Sequence, residues 1–308
     1  MNTTKIAVVG VTGLVGQMML QVLQERQIEA EYFLFASSHH VGGKITVNGD
    51  EYVVEVLTET RVAEIKADFA LFAAGAEVAQ VWAPRFVAAG TTVIDNSSYY
   101  RMQPNVPLVV PEVNLMTIKN HKLIANPNCS TIGAVVALAP LDRMFKIKRI
   151  VYSTYQAISG AGRNPKFKYP IENNVLPDID VRLPDGNTKE EAKMIHETRK
   201  ILGRTEIAIS ATAARVPVAN CHCISVNVEF CHRLNLERVK QILSQAPGVV
   251  YCDDYAVPTE VSGHDEVYIG RVRLDTSKPN TLNMWVVSDN LRKGAATNAV
   301  QIMESLLA

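Results

Sequence analysis

A strand, a glycine-rich turn and a helix follow one another at the start of the chain. Lys5 to Val9 is a continuous apolar run, the turn spans Gly10 to Gly16, and a helical pattern covers Gln17 to Gln27. This order is typical of the first βαβ unit of a dinucleotide-binding domain, in which glycines let the backbone approach a pyrophosphate at the helix N-terminus. The spacing, Gly-x-x-Gly-x-x-Gly, is not the commonest one, so a merely structural tight turn is the alternative.

The second predicted strand, Tyr32 to Ser37, runs into Ser37-Ser38-His39-His40 and carries no acidic residue at its end. An Asp or Glu there would bind the adenosine ribose 2′-hydroxyl, so its absence favours the phosphorylated cofactor, NADP. The alternative is an ordinary polar surface loop.

Strand and helix patterns continue to alternate through the first 130 residues. Asn48-Gly49 predicts a hairpin, and strands are expected at Phe69 to Ala73 and at Thr92 to Asp95. Arg101 follows the last of these, at the sheet edge where open parallel sheets bind ligands. Arg101 is therefore a candidate anion clamp, or else a solvated surface group.

A second predicted turn carries a cysteine. Pro127 and Asn128 break an apolar strand, and a long apolar helix follows them, so Cys129 is expected at a helix N-terminus. Free backbone N–H groups and the helix dipole stabilise a thiolate in that position. The alternative is a small buried hydrophobic residue.

The second half of the sequence indicates an antiparallel sheet with helices. Residues 164–187 have an irregular composition, and Thr188 with Glu191 predicts a capping box for a helix that runs to about Leu202. The last helix, from about Lys293 to Leu307, is expected to pack on the first domain. We thus expect residues 1–128 plus 293–308 to form the cofactor-binding domain, and residues 129–292 to form an α+β catalytic and dimerisation domain.

Composition excludes several classes of protein. The 308 residues are 47% hydrophobic and 20% charged, with a formal net charge of zero, so no basic field predicts nucleic-acid binding. No apolar run is long enough for a membrane helix. Five cysteines without framework spacing indicate a reducing, cytoplasmic setting. A metal site at Cys221, Cys223, Cys231 and His232 is disfavoured, because the spacing fits no zinc motif.

Seven motifs, in this order, resemble the aspartate-β-semialdehyde dehydrogenase family along nearly the whole chain. They are Gly10-x-Thr12-Gly13-x-Val15-Gly16, Asp95-Asn96-Ser97-Ser98 with Arg101, Val109 to Asn114, Asn126 to Ile132, Tyr155 to Gly162, Arg215 to Val218, and Ser288 to Gly294. Their joint occurrence is highly specific to this family.

The resemblance implies a role for each matching position. It implies Cys129 as the nucleophile, His222 as the acid/base and Gln156 as a residue that orients the substrate. It further implies a phosphate site of Arg101, Asn128 and Lys193, with Glu190 for the substrate ammonium and Arg215 for its α-carboxylate. The implied cofactor site comprises Gly10, Thr12, Gly13, Leu14, Val15, Ser37, His39, His40, Ser159, Gly160 and Asn298.

Three positions depart from the family pattern. His39 stands where an arginine often grips the cofactor 2′-phosphate, Cys221 where a glycine commonly precedes the histidine, and Gly133 where a glutamine often follows Ser-Thr-Ile. His39 bears on cofactor preference, and the cysteines beside His222 on sensitivity to oxidation.

The implied reaction is NADP-dependent reductive dephosphorylation of L-aspartyl-4-phosphate to L-aspartate-4-semialdehyde through a cysteine thioester. It would serve the aspartate pathway to lysine and diaminopimelate, methionine, threonine and isoleucine. Expected partners are the small-molecule substrate, inorganic phosphate and further copies of the chain, as a homodimer or tetramer. The competing hypotheses are a thiol-dependent hydrolase or acyltransferase and a non-catalytic dinucleotide-binding module; the first leaves the N-terminal glycine turn unexplained.

Overall fold

The computed structural model describes residues 3–307. It divides the chain into two compact units. The first contains Met1–Pro111, Leu115–Pro127 and Ala295–Ala308, and the second contains Glu112–Asn114 and Asn128–Gly294.

Strands and helices alternate along the first unit and mix less regularly in the second. The strands are β1 (Thr4–Val9), β2 (Ala30–Phe35), β3 (Lys44–Val47), β4 (Asp50–Glu55), β5 (Phe69–Phe72), β6 (Thr92–Asp95), β7 (Leu123–Ala125), β8 (Ile147–Gln156), β9 (Ala208–Arg215), β10 (His222–Phe230), β11 (Val249–Tyr251), β12 (Val267–Leu274) and β13 (Thr281–Ser288). The helices are α1 (Leu14–Glu25), α2 (Glu59–Ile65), α3 (Ala76–Ala88), α4 (Pro111–Asn114), α5 (Cys129–Phe145), α6 (Lys189–Leu202), α7 (Leu236–Ser244), α8 (Pro258–Val261) and α9 (Thr297–Leu307).

The first unit is built on a seven-stranded sheet in the order β3-β4-β2-β1-β5-β6-β7. All of its pairings are parallel except the β3–β4 hairpin, which turns at Asn48-Gly49 as predicted. The central strands are continuous apolar runs because both faces of a parallel sheet are covered. The predicted N-terminal dinucleotide-binding domain, with its alternating strands and helices, is confirmed and has a Rossmann-type fold.

Helices cover both faces of this sheet. On one face, Met19 of α1 and Val300 of α9 join the core that includes Ile6 and Val8. On the other, Phe86 of α3 stacks edge-on against Phe72, at 5.5 Å between ring centroids. Neighbouring strand residues point to opposite faces, so Leu71 and Phe72 serve different helix layers.

The second unit is built on a six-stranded sheet in the order β11-β12-β13-β10-β8-β9. The predicted antiparallel sheet is partly wrong, because β8 pairs with β9 and β11 with β12 in parallel. In each of these pairs a helix-containing segment lies between the two strands, as a parallel connection requires. The central helix α5 is buried over most of its length and packs against β8, β10 and β13.

The last helix begins four residues later than predicted. Residues Arg292–Ala296 form one π-helical turn, and α9 starts at Thr297. Before this turn, the Asp289 carboxylate accepts the backbone N–H groups of Leu291 and Arg292 at 2.9 and 3.0 Å. Local polar bonds of this kind compete with regular helix, which accounts for the later start.

Candidate active site

Cys129 is the first residue of α5, as predicted. Asn128 is the N-cap, with extended backbone angles, and its Oδ1 accepts the N–H groups of Ser130 and Thr131 at 3.0 and 3.3 Å. An N-cap side chain satisfies orphan donors in this way and fixes the start of the helix. The sulfur therefore projects from the first turn of a long, buried helix.

His222 faces that sulfur. Its Nε2 lies 3.2 Å from Cys129 Sγ, and its Nδ1 accepts the backbone N–H of Ala157 at 3.1 Å. Because Nδ1 accepts, the neutral ring carries its proton on Nε2, directed at the sulfur. Burial lowers the pKa of His222 to about 3, and the charge of Arg215 adds to the shift.

Glu190 forms hydrogen bonds with three other residues that the resemblance implied as parts of the site. Its Oε1 accepts Asn128 Nδ2 at 2.8 Å and Gln156 Nε2 at 3.2 Å, and its Oε2 accepts Lys193 Nζ at 3.1 Å. Burial alone would raise the pKa of Glu190, but Lys193 and the hydrogen bonds from Asn128 and Gln156 outweigh it and lower the pKa. The site thus contains a buried, ionised carboxylate.

Arg215 is the last residue of β9 and supplies a buried cation. Its Nη1 donates to the carbonyl of Ala157 at 2.8 Å, so the residue that fixes His222 also fixes Arg215. A Cβ atom at Gly160 would lie 2.8 Å from Arg215 Nη1 and 2.9 Å from His222 Cε1. Only glycine fits beside these two side chains.

Lys193 forms ion pairs with two carboxylates. Besides Glu190, it contacts Asp180 Oδ2 at 3.0 Å, from the irregular segment that precedes α6. Burial would lower the pKa of Lys193, but Glu190 and Asp180 together raise it. Arg101 belongs to the first unit, where its Nη2 donates to the carbonyl of Asn96 at 2.8 Å.

The first unit contains a cavity of ≈ 410 Å³ beside the glycine turn. Gly10 has a φ of 87°, and a Cβ atom there would lie 2.8 Å from the Ala73 backbone, so the tight approach needs glycine. The cavity is lined by Val9, Gly10, Thr12, Gly13, Phe35, Ala36, Ser37, Val56, Leu57, Ala73, Ala74, Val78 and Trp82, and none of these residues is acidic. An apolar slot beside a glycine turn and a helix N-terminus fits the adenosine and pyrophosphate of a dinucleotide.

The remaining predicted cofactor residues lie in three places. Leu14 and Val15 open α1, and His39 and His40 are exposed on the short 3₁₀ turn that follows β2. Asn298 is buried, and its Nδ2 donates to the Val109 carbonyl and to Asn126 Oδ1. Ser159 belongs to the second unit and exchanges hydrogen bonds with Asn220 and Asn290.

The sequence did not predict the residues that hydrogen-bond to the backbone beside Cys129 and His222. Glu197 Oε2 accepts the N–H of Asn128 at 2.6 Å, and Asn290 Oδ1 accepts the N–H of Cys221 at 2.9 Å. Cys221 has a φ of 72°, the left-handed region that suits glycine. Glu197 follows Glu190 by seven residues on α6, so helical periodicity was a signal that could have found it.

Two kinds of feature are absent from residues 3–307. No cluster of three or more His, Cys, Asp or Glu side chains is arranged to hold a metal ion. Within the same range, no helix has both the length and the apolar character to cross a bilayer.

Family models match both parts of the chain. Residues 5–121 match the NAD binding domain of semialdehyde dehydrogenase, and residues 138–293 match the semialdehyde dehydrogenase dimerisation domain.

Curated relatives and solved structures agree with these matches. Aspartate-semialdehyde dehydrogenase of Aquifex aeolicus is 45% identical over 98% of both chains, and that of Bacillus subtilis is 40% identical over 98% of this chain and 96% of its own. The crystal structure of aspartate semialdehyde dehydrogenase II of Vibrio cholerae, complexed with ASA, has a TM-score of 0.95 at 39% identity, covering 100% of this chain and 99% of its own. The Candida albicans enzyme with NADP has a TM-score of 0.83 at 29% identity, with 100% and 99% covered.

Proposed function

This chain belongs to the aspartate-semialdehyde dehydrogenase family, and from that premise we propose that it reduces L-aspartyl-4-phosphate to L-aspartate-4-semialdehyde with NADP as cofactor. The proposal is supported most directly by the contact between Cys129 Sγ and His222 Nε2 at the start of α5. A thiolate there attacks the acyl phosphate, expels phosphate and forms a thioester on Cys129. In the aspartate pathway, the aldehyde would serve lysine, diaminopimelate, methionine, threonine and isoleucine synthesis.

The chain's own residues account for the other requirements. Ionised Glu190 and the Arg215 guanidinium match the ammonium and the α-carboxylate of an amino acid, and a guanidinium suits the carboxylate because it bonds with two N–H groups. We propose Arg101, Asn128 and Lys193 as ligands of phosphate and Gln156 as the residue that orients the substrate.

His222 holds a proton on Nε2 toward the sulfur, so it acts in the resting enzyme as a hydrogen-bond donor that favours the thiolate. Its action as an acid/base during turnover stays a prediction.

The glycine turn and adjacent cavity support a dinucleotide at Gly10, Thr12, Gly13, Leu14, Val15 and Ser37. We propose that His39 and His40 face the 2′-phosphate, and that Ser159, Gly160 and Asn298 complete the cofactor site. When bound, the nicotinamide supplies the hydride in the reductive direction and accepts it in the other. Release of the aldehyde returns the electron pair of the carbon–sulfur bond to Cys129.

The test is phosphate-dependent reduction of NADP by aspartate semialdehyde, followed by absorbance, with glyceraldehyde-3-phosphate as the control substrate. Cys129→Ala should abolish turnover while leaving the fold intact. The control, Cys231→Ala, removes an exposed thiol and should leave turnover unchanged. Full activity of Cys129→Ala would refute the mechanism. Acyl hydrolysis by Cys129 without a nicotinamide absorbance change would support the thiol hydrolase instead.

A further inference from the structure

Glu197 is a buried carboxylate to which the reaction described above gives no role. It lies on α6, four residues after Lys193 and seven after Glu190, and therefore on the same side of the helix. The residue is 1% exposed, and its Oε2 accepts the backbone N–H of Asn128 at 2.6 Å. Asn128 is the residue that immediately precedes the nucleophile.

The bond completes the restraint of Asn128. The side-chain Oδ1 of Asn128 caps α5, and its Nδ2 donates to Glu190. With its N–H held by Glu197, all three of these polar groups of Asn128 are bonded within the second unit. The position of Cys129 is then set by two carboxylates of α6 as well as by its own helix.

Resting on the function proposed above, we propose that Glu197 is a positioning residue for the Cys129 nucleophile, and that its negative charge also sets how readily the thiolate forms. Displacement of a reacting group by about 1 Å costs on the order of a hundredfold in rate. A second anion one residue from the sulfur disfavours the thiolate, because two negative charges repel.

The charge of Glu197 affects the pKa of a neighbouring residue, Lys200. Burial lowers the pKa of Lys200, and the Glu197 carboxylate acts in the opposite direction. The two effects of Glu197 can be separated, because glutamine keeps an oxygen acceptor and loses the charge, whereas alanine loses both.

The same helix provides a matched control. Glu191 is also buried, and its oxygens accept backbone N–H groups from Ala213 at 2.9 Å and Thr188 at 2.7 Å. These bonds have the same chemistry as that of Glu197 but do not involve Asn128. Glu191→Ala should destabilise the protein without a specific effect on Cys129.

The experiment compares Glu197→Ala, Glu197→Gln and Glu191→Ala in the full chain. The readouts are kcat, KM for each substrate, and the rate of Cys129 alkylation by iodoacetamide between pH 5 and 10; near-ultraviolet circular dichroism verifies the fold. Loss of a charge-assisted hydrogen bond corresponds to about ten- to a hundredfold. We expect Glu197→Ala to lose that much kcat with KM changed less than about threefold, and Glu197→Gln to recover most of it.

In Glu197→Gln, the pH at which the alkylation rate of Cys129 reaches half of its maximum should fall. In Glu191→Ala this midpoint should stay unchanged. Wild-type kcat in a folded Glu197→Ala would overturn the proposal, as would equal losses of kcat in Glu191→Ala and Glu197→Ala. If Glu197→Ala does not fold, an unchanged alkylation midpoint in Glu197→Gln overturns it. Because alkylation needs no substrate, a failure of the proposed function leaves this test intact.

Discussion

At the scale of single residues, the site depends on which atoms carry protons. His222 is 1% exposed, and its Nδ1 is occupied by the N–H of Ala157. Protonation would place an N–H on Nδ1 against another N–H, in a buried position beside the Arg215 cation. Geometry and the lowered pKa of His222 therefore both favour the neutral ring.

This neutral histidine should leave a signature in stability. The pKa of His222 is about 3 in the folded protein, against about 6.5 for an unperturbed histidine. Between these pH values the unfolded chain binds a proton at His222 and the native protein does not. The free energy of unfolding therefore keeps its full value above pH 6.5 and falls as the pH drops below it. From pH 6.5 to 5 the loss should be about 2 kcal/mol.

The measurement is the free energy of unfolding in urea at several pH values. His222→Asn should be nearly flat over that window, whereas a variant of the exposed residue His121, His121→Asn, should keep the wild-type slope. Equal slopes in wild type and His222→Asn would contradict the assignment.

His39 is the second residue whose protonation matters. It is exposed on the turn after β2, near the cavity residue Ser37, and it stands where the family often has arginine. A histidine adds charge to a phosphate contact only when protonated, whereas arginine is always charged. NADP affinity should therefore weaken between pH 6 and 8 by up to about tenfold more than NAD affinity does.

His39→Arg should strengthen NADP binding and remove most of that excess pH dependence. The measurement is Kd for both cofactors at both pH values, with NAD as the internal control. An NADP preference that responds neither to pH nor to the substitution would show that His39 does not contact the 2′-phosphate.

At the scale of elements, α6 organises the polar groups of the site. The capping box of Thr188 and Glu191 forms as the sequence predicted and sets where the helix starts. From there, helical periodicity brings Glu190, Lys193 and Glu197 to one side. Each of the three also contacts a residue outside α6, and for Lys193 that residue is Asp180.

If Lys193 binds phosphate as proposed, its ion pair with Asp180 competes with phosphate. A partly exposed ion pair is worth up to about 1 kcal/mol, or roughly fivefold in affinity. Asp180→Asn should therefore lower the KM for phosphate about two- to fivefold in the direction that consumes it. Asp178→Asn is the control, because Asp178 pairs with the exposed Arg182 instead. An unchanged or higher KM for phosphate in Asp180→Asn would exclude this competition.

How far the sequence could predict these elements depended on whether the signal was local. The hairpin at Asn48-Gly49, the glycine turn and Cys129 at a helix start follow from local turn chemistry and periodicity, and all were predicted. The parallel pairing of β8 with β9 is decided by tertiary packing and was not. The Ala157 N–H that holds His222 is a backbone group, so no side-chain pattern could have revealed it.

At the scale of the whole molecule, the outer face of the second sheet indicates self-association. Its inner face carries buried residues such as Tyr152 and Val226 and packs on α5. On the other face, a row of neighbouring residues crosses four strands at Thr212, Ser153, Ser225 and Trp285. Thr212 and Ser225 are exposed, and both have small side chains.

This exposed face of small side chains beside an aromatic residue lies within the part of the chain that matches the dimerisation domain, where it can pair with the same face of a second copy. We therefore expect a homodimer at micromolar concentration in sedimentation velocity. Ser225→Arg places a long charged side chain in the middle of the row and should weaken the dimer at least about a hundredfold, because desolvating an unpaired charge is costly. Thr46→Arg, at an exposed strand position of the first unit, should leave it unchanged. A monomeric wild type, or an unaltered dimer in Ser225→Arg, would rule out this face as the interface.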